Sequence, residues 1–240
     1  MSTPEWYCQP HWTAEAESEF WRRWNRARPW NRAQYLRIQA HYLSRSNTQS
    51  DNVVAVELID RLLRDFADAR LEIAPAHMTR GDALLALGDI DAAIECYFAA
   101  DAQEHAFPNV LVHGALNALY TVAIHAKHDQ YARALRTYEQ RVQSPDGDFA
   151  IDSFRLQTAL SFILADTGAP SDAAECAKLA LQYAEKEHSG FTQHPTVGLV
   201  VHVPPAIHAK LRSIAANDVS GLIGWIKQKA SGSHHRPPGV

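Results

Sequence analysis

Two windows 80 residues apart carry the same residues in the same order. That repetition constrains the fold more than any other feature of the chain. Leu84, Gly88, Ala93, Glu95, Cys96 and Ala100 recur as Leu164, Gly168, Ala173, Glu175, Cys176 and Ala180. Six identities across different residue types point to a repeated structural unit rather than to shared composition. The first window breaks at Gly88-Asp89, with apolar residues at helical spacing on both sides: Leu84 and Leu87 before, Ala93, Tyr97 and Ala100 after. Gly88 suits a left-handed residue closing the first helix, and Asp89 or Asp91 can cap the second. So short a break makes the two helices antiparallel.

Small residues at Gly81, Ala93 and Ala100 allow close backbone approach, and Tyr97 can fill the space between the helices. With the turn at Gly88, this segment resembles a tetratricopeptide repeat. It departs from the pattern at its opening Trp, which is His77 here, and its closing Pro comes late, as Pro108. The second window is degenerate, with Ser161 for Gly81 and Ala177 for Tyr97. Halfway between, His128-Asp129 forms another turn followed by Ala134 and Tyr138. Upstream, Asn47–Asp51 is a polar turn, with Asp51 placed to cap a helix over Val53–Phe66. Turns near 49, 88, 129 and 168 give a period of about 40, longer than the roughly 34 of a standard tetratricopeptide repeat. Longer helices and loops, as at Phe107-Pro108 and Ser144-Pro145-Asp146-Gly147, account for the difference. The resemblance implies an all-α fold, a right-handed superhelix (solenoid) of antiparallel helix pairs.

The ends differ from this middle. Residues 1–69 are expected to form Trp/Arg-rich helices capping the solenoid, because five of the six tryptophans lie in the first 30 residues. Thr13 can cap a helix whose early acids, Glu15, Glu17 and Glu19, favour its positive end. Phe20, Trp24 and Ala27 then share one face before Pro29 stops the helix, and Ala33, Leu36, Ala40 and Leu43 fall in register on the next. Residues 70–190 hold the repeats. Residues 191–230 are expected to form a loop and a final helix pair (Pro204–Ala215 and Val219–Ala230), the Gly/Pro-containing stretch Ser189–Val203 being an ordered loop or short strand. Residues 231–240 read as a disordered tail.

Function is less constrained. Apolar residues make up 46% of the chain and charged residues 21%, ordinary for a soluble protein. Apolar runs such as Val197–Val201 are too short for a membrane helix, and Met1–Trp6 shows no signal-peptide pattern. Cys8, Cys96 and Cys176, odd in number and widely spaced, suggest a reducing cytoplasm rather than a disulfide framework; Cys96 and Cys176 should serve as small buried apolar side chains. His125 and His128, three apart, could pair as metal ligands on one helix face, yet no Cys pair, His-Glu-x-x-His or converging carboxylates accompany them, and no metal or other cofactor is expected. No Gly-x-Ser-x-Gly segment or phosphate loop nominates a catalytic centre, so an enzyme is not expected. Seven arginines and no acid lie between Phe20 and Asp51 (Arg22, Arg23, Arg26, Arg28, Arg32, Arg37, Arg45). Of these, Arg22, Arg26 and Arg37 could face outward beside Trp21, Trp30 and Tyr35, which suits nucleic acid or an acidic peptide. The competing reading, favoured by a net charge of −4, is a solvated face whose Arg stems cover tryptophan and meet acids elsewhere.

The leading expectation is therefore an adaptor that binds a protein or peptide in a concave groove lined by first helices, as the resemblance implies. Asn109, His113 and Asn117 form an i, i+4, i+8 polar stripe amid Val110, Leu111, Val112, Leu116 and Leu119. Asp82 and Arg155 fall at groove-facing repeat positions. The Lys/Asn set with which some members of the family clamp a terminal carboxylate is not present.

Overall fold

A computed structural model describes residues 5–140 and 149–217. Among the described residues the secondary structure is helical and no strand occurs. Ten α-helices follow one another: α1 (Ala14–Arg26), α2 (Arg32–Ser44), α3 (Gln49–Asp65), α4 (Arg70–Ala86), α5 (Ile90–Ala106), α6 (Gly114–Ile124), α7 (Tyr131–Glu139), α8 (Ala150–Asp166), α9 (Pro170–Ala184) and α10 (Pro205–Ala216). The chain forms two compact units: Met1–Thr121 with Ala134–Arg141, and Val122–Arg133 with Val142–Val240. The division falls inside the repeat segment. The expected loop at 144–147, the helix over Val219–Ala230 and the tail lie outside the described residues.

In the first unit α2 packs on α3, α3 on α4 and α4 on α5, and the two first helices α2 and α4 also touch. The α4/α5 turn follows the residues named for it. Gly88 has φ +85°. The Asp89 amide reaches back to the Leu84 carbonyl at 3.0 Å and the Gly88 amide to Leu85 at 3.1 Å, closing α4 as a Schellman turn that only Gly adopts cheaply. Asp89 then caps α5, its carboxylate accepting from the Ala92 amide at 3.2 Å. Inside the pair, Ala93 and Ala100 are fully buried and Tyr97 lies over Gly81. A Cβ at Gly81 would stand 2.5 Å from Tyr97 Cε1, so the Gly and the aromatic ring form one interlock.

The second unit repeats the turn without the interlock. Gly168 has φ +86°, and the Ala169 amide reaches the Leu164 carbonyl at 2.9 Å. Ala173, Ala177 and Ala180 are fully buried. The same closure recurs at α6, where the Lys127 amide donates to the Val122 carbonyl at 3.0 Å, but there the left-handed residue is Ala126 (φ +50°), two positions before the expected His128. In this unit α9 packs against α8 and α10, with Leu211 of α10 fully buried. Between α9 and α10 the chain makes turns rather than a strand. Gly198 lies against the Phe149 ring, its carbonyl accepting from the Ile151 amide at 2.8 Å.

The N-terminal segment packs as an aromatic cluster. Thr13 caps α1 through the Ala16 amide, and Phe20, Trp24, Ala33, Leu36, Ala40 and Leu43 are buried as the spacing predicts. Trp6, Trp12 and Trp21 pack on this core with Phe20 at ring-centroid distances of 5.0–5.4 Å. Asp51 is a correction. Helix α3 begins at Gln49, its N-cap Thr48 makes no side-chain cap, and Asp51 is buried in the first turn. Its carboxylate turns outward from α3 to hold the preceding chain.

Candidate binding surface

That preceding chain, residues 5–12, is held at two polar points. Gln39 is fully buried on the apolar side of α2 and pairs with the Gln9 backbone: its Oε1 accepts from the Gln9 amide at 3.1 Å and its Nε2 donates to the Gln9 carbonyl at 2.8 Å. A primary amide can satisfy both backbone groups of one residue in this way. Asp51 is the second point. Its Oδ1 accepts from the Trp12 amide at 2.9 Å, and its Oδ2 accepts from His11 Nδ1 at 3.0 Å, from Ser46 Oγ at 2.7 Å and from Thr48 Oγ1. Burial acts to raise the Asp51 pKa, but the bonds from Thr48, His11, the Trp12 amide and Ser46 outweigh it and hold it at about 2. Asp51 is thus a carboxylate at neutral pH, and the His11 proton faces it from Nδ1.

These contacts place His11 at the edge of a hollow of about 550 Å³, lined by Pro10, His11, His41, Tyr42, Arg45, Ser46 and Asn47. The His11 side chain is 63% exposed. His41 is half-buried, and its pKa is pushed down by burial first, then by Arg45 and Arg37. Arg37 is engaged elsewhere, bonding Glu72 of α4 at 2.5 Å. The hollow is therefore built from three places in the sequence: the fastened N-terminal segment, the last turn of α2 and the turn into α3. Neither His11 nor His41 stands out by spacing. The signal that could have found them is Gln39, a polar residue between Leu36 and Ala40 on a buried helix face, which requires a partner from another segment.

The residues singled out by the repeat fall differently. The polar stripe is not helical: α6 begins at Gly114, so Asn109 and His113 precede it, and Asn117 alone lies on it. The stop has a local cause. Glu104, buried on α5, accepts from the backbone amides of Val112, His113 and Gly114, which fixes the loop, with His113 left-handed at φ +59°. Gly114 is required there because a Cβ would stand 2.5 Å from the Asp101 amide nitrogen. Asn109 is exposed, and Asn117 Nδ2 donates to the His113 carbonyl at 2.9 Å. Asp82 is exposed on α4 and accepts from the Tyr97 hydroxyl at 2.9 Å. Arg155 is half-buried on α8, in the other unit.

His125 and His128 do not share a helix face, since α6 ends at Ile124 and His128 opens a 3-10 turn beside Asp166, 3.4 Å away. Among the described residues no group of three His, Cys, Asp or Glu side chains could hold a metal ion. The arginine run is largely engaged within the chain. Arg22 and Arg23 bond Glu19 at 2.7 and 2.5 Å, and Arg32 bonds the Ala27 and Asn25 carbonyls while lying 5.1 Å over Trp24. The cysteines are all free. Cys96 is buried, as expected, but its Sγ also accepts from Arg80 Nη1 at 3.0 Å, whereas Cys176 is only half-buried. No helix among the described residues is long and apolar enough to cross a membrane. Comparison of the chain with protein-family models, curated proteins and solved structures gave no match.

Proposed function

We propose that the chain is a tetratricopeptide-like interaction scaffold that binds a protein or peptide partner along the first helices of its helix pairs. The observation that carries this is the α4/α5 pair, where Gly81, Gly88, Ala93, Tyr97 and Ala100 occupy the packing roles of that repeat, together with side-by-side contact of the first helices α2 and α4. Adjacent first helices present a continuous surface, and repeated pairs extend it; the superhelical stacking and the 40-residue period belong to this proposal. In the first unit Asp82 and Asn117 are its contact residues, with Asn109 and His113 at the loop before α6; in the second unit, taken by itself, the contact residue is Arg155. Three free cysteines suit a cytoplasmic setting.

The test is capture of partners by the immobilised full chain from the native cytoplasm, quantified by mass spectrometry. Asp82→Asn keeps an oxygen for Tyr97 and removes the charge, and Arg155→Ala removes the cation. A partner whose capture falls about fivefold or more in either variant, with unchanged circular dichroism, is expected; this corresponds to about 1 kcal/mol. Capture that is the same in both variants and the wild type counts against the scaffold.

A further inference from the structure

The hollow between the N-terminal segment and the end of α2 has a lining with a definite sign. Among the described residues, its lining side chains include Arg45, two imidazoles and the Asn47 amide, and no carboxylate. Arg45 is exposed and has no ion-pair partner among the described residues. Asp51, the carboxylate bonded to His11 and Ser46 of the lining, is 4% exposed and already accepts from four donors. The carbonyl end of α2 adds partial negative charge here, but Arg45 stands at that end, and the uncapped positive end of α3 begins two residues past Asn47. Burial lowers the proton affinity of His41, and the charges that lower it further are Arg45 and Arg37.

The rest of the lining is Ser46, whose hydroxyl is committed to Asp51, with Pro10 and Tyr42. Pro10 and the Tyr42 ring, the latter 43% exposed, supply its apolar part. A volume of about 550 Å³ is far more than a single carboxylate or phosphate fills. It suits a short stretch of chain in which an acid meets a guanidinium through paired charge-assisted bonds and its neighbours lie on a ring and a proline.

We propose that this hollow is an acidic-peptide subsite, in which Arg45 and Asn47 hold a carboxylate side chain of the bound segment and Tyr42 and Pro10 take its neighbouring residues. This rests on the reading of the chain as a peptide-binding scaffold and names the chemistry of what it binds. The overall charge of −4 repels an acidic chain at long range, so binding here has to come from local contacts.

Fluorescence anisotropy of fluorescein-labelled hexaglutamate, titrated with the full chain, tests it. Saturable binding to the wild type and to Arg28→Glu is expected, with at least about a tenfold loss in Arg45→Glu. Arg28→Glu is the charge-matched control, since Arg28 lies beside Trp30, outside the hollow. Inorganic phosphate should displace the peptide no better than chloride at equal ionic strength. No wild-type binding, equal loss in both variants, or specific displacement by phosphate each overturns the subsite. No hexaglutamate binding while partner capture still responds to Asp82→Asn removes the subsite and leaves the scaffold. Arg45-dependent hexaglutamate binding, with capture indifferent to Asp82→Asn and Arg155→Ala, removes the scaffold assignment instead.

Discussion

The helix pairs α4/α5 and α8/α9 close with the same turn but fill their interiors differently. In both, a Gly at φ +85° or +86° ends the first helix and the residue after it reaches back five positions. Fully buried alanines at equivalent places bring the second helix close: Ala93 and Ala100 in one, Ala173 and Ala180 in the other. In α4/α5 the gap is then filled by Tyr97 lying over Gly81 and bonded to Asp82. In α8/α9 the equivalent places hold Ala177 and Ser161, no aromatic stands at either, and the buried rings of α8 are Phe154 and Phe162, with Lys210 of α10 3.9 Å over the Phe162 ring. The turn and the small residues define the pair. The aromatic is one of several ways to pack it.

This contrast orders the expected effects of substitution. Tyr97→Ala should cost about 3–5 kcal/mol, because it empties a fully packed site and leaves Asp82 without its phenol donor. Ala177→Gly at the equivalent place should cost only about 1 kcal/mol, through helix propensity. Urea denaturation resolved by hydrogen exchange of each pair measures both; equal costs would remove the distinction.

Acid comes next, and it separates the N-terminal aromatic cluster from the pairs. The folded pKa of Asp51 lies below its ordinary 3.8, at about 2. Its contribution is therefore present above pH 4 and lost as the pH falls towards 2. The shift corresponds to about 2 kcal/mol. Tryptophan fluorescence should report loosening of that cluster over that range, while Asp51→Asn should lower stability at pH 7 and abolish this acid dependence. An unchanged acid profile in Asp51→Asn would show that other carboxylates carry it.

Smaller still are the turns. Gly88→Ala and Gly168→Ala place a Cβ in open space, with nothing within 4 Å, so each should cost only the left-handed penalty of about 1 kcal/mol. Equal losses support one shared turn, and a large difference between them would break the equivalence. Smallest is Ser161→Ala. The Ser161 and Thr158 hydroxyls are buried with no hydrogen-bond partner among the described residues. Removing the Ser161 hydroxyl should leave stability unchanged or raise it by up to about 1 kcal/mol; a clear loss would reveal a bond made there in solution.

The sequence shows the pairs because their determinants are local. A Gly, a capping Asp and alanines at fixed offsets act within a few residues of one another, and so does the Phe20/Trp24 face. The binding surface is less legible because its determinants are distant in sequence. The helical stripe through Asn109 and His113 fails because Glu104, on the preceding helix, captures the backbone of 112–114. Likewise, Asp51 has the spacing of a helix cap but binds Trp12 and His11, about 40 residues away. Short polar residues bond either to their own helix or to a passing strand of chain, and spacing alone does not choose between them.

Gly81 is present to admit Tyr97, making α4/α5 the interlocked version of a pair that α8/α9 repeats without the lock. A double-mutant cycle on Gly81→Ala and Tyr97→Ala measures that coupling. Gly81→Ala should destabilise the wild type by about 1–3 kcal/mol, because the Cβ meets the ring. In the Tyr97→Ala background the same change should be neutral or slightly stabilising, since alanine is the better helix former. A Gly81→Ala cost that is the same with and without the Tyr97 ring would contradict the interlock.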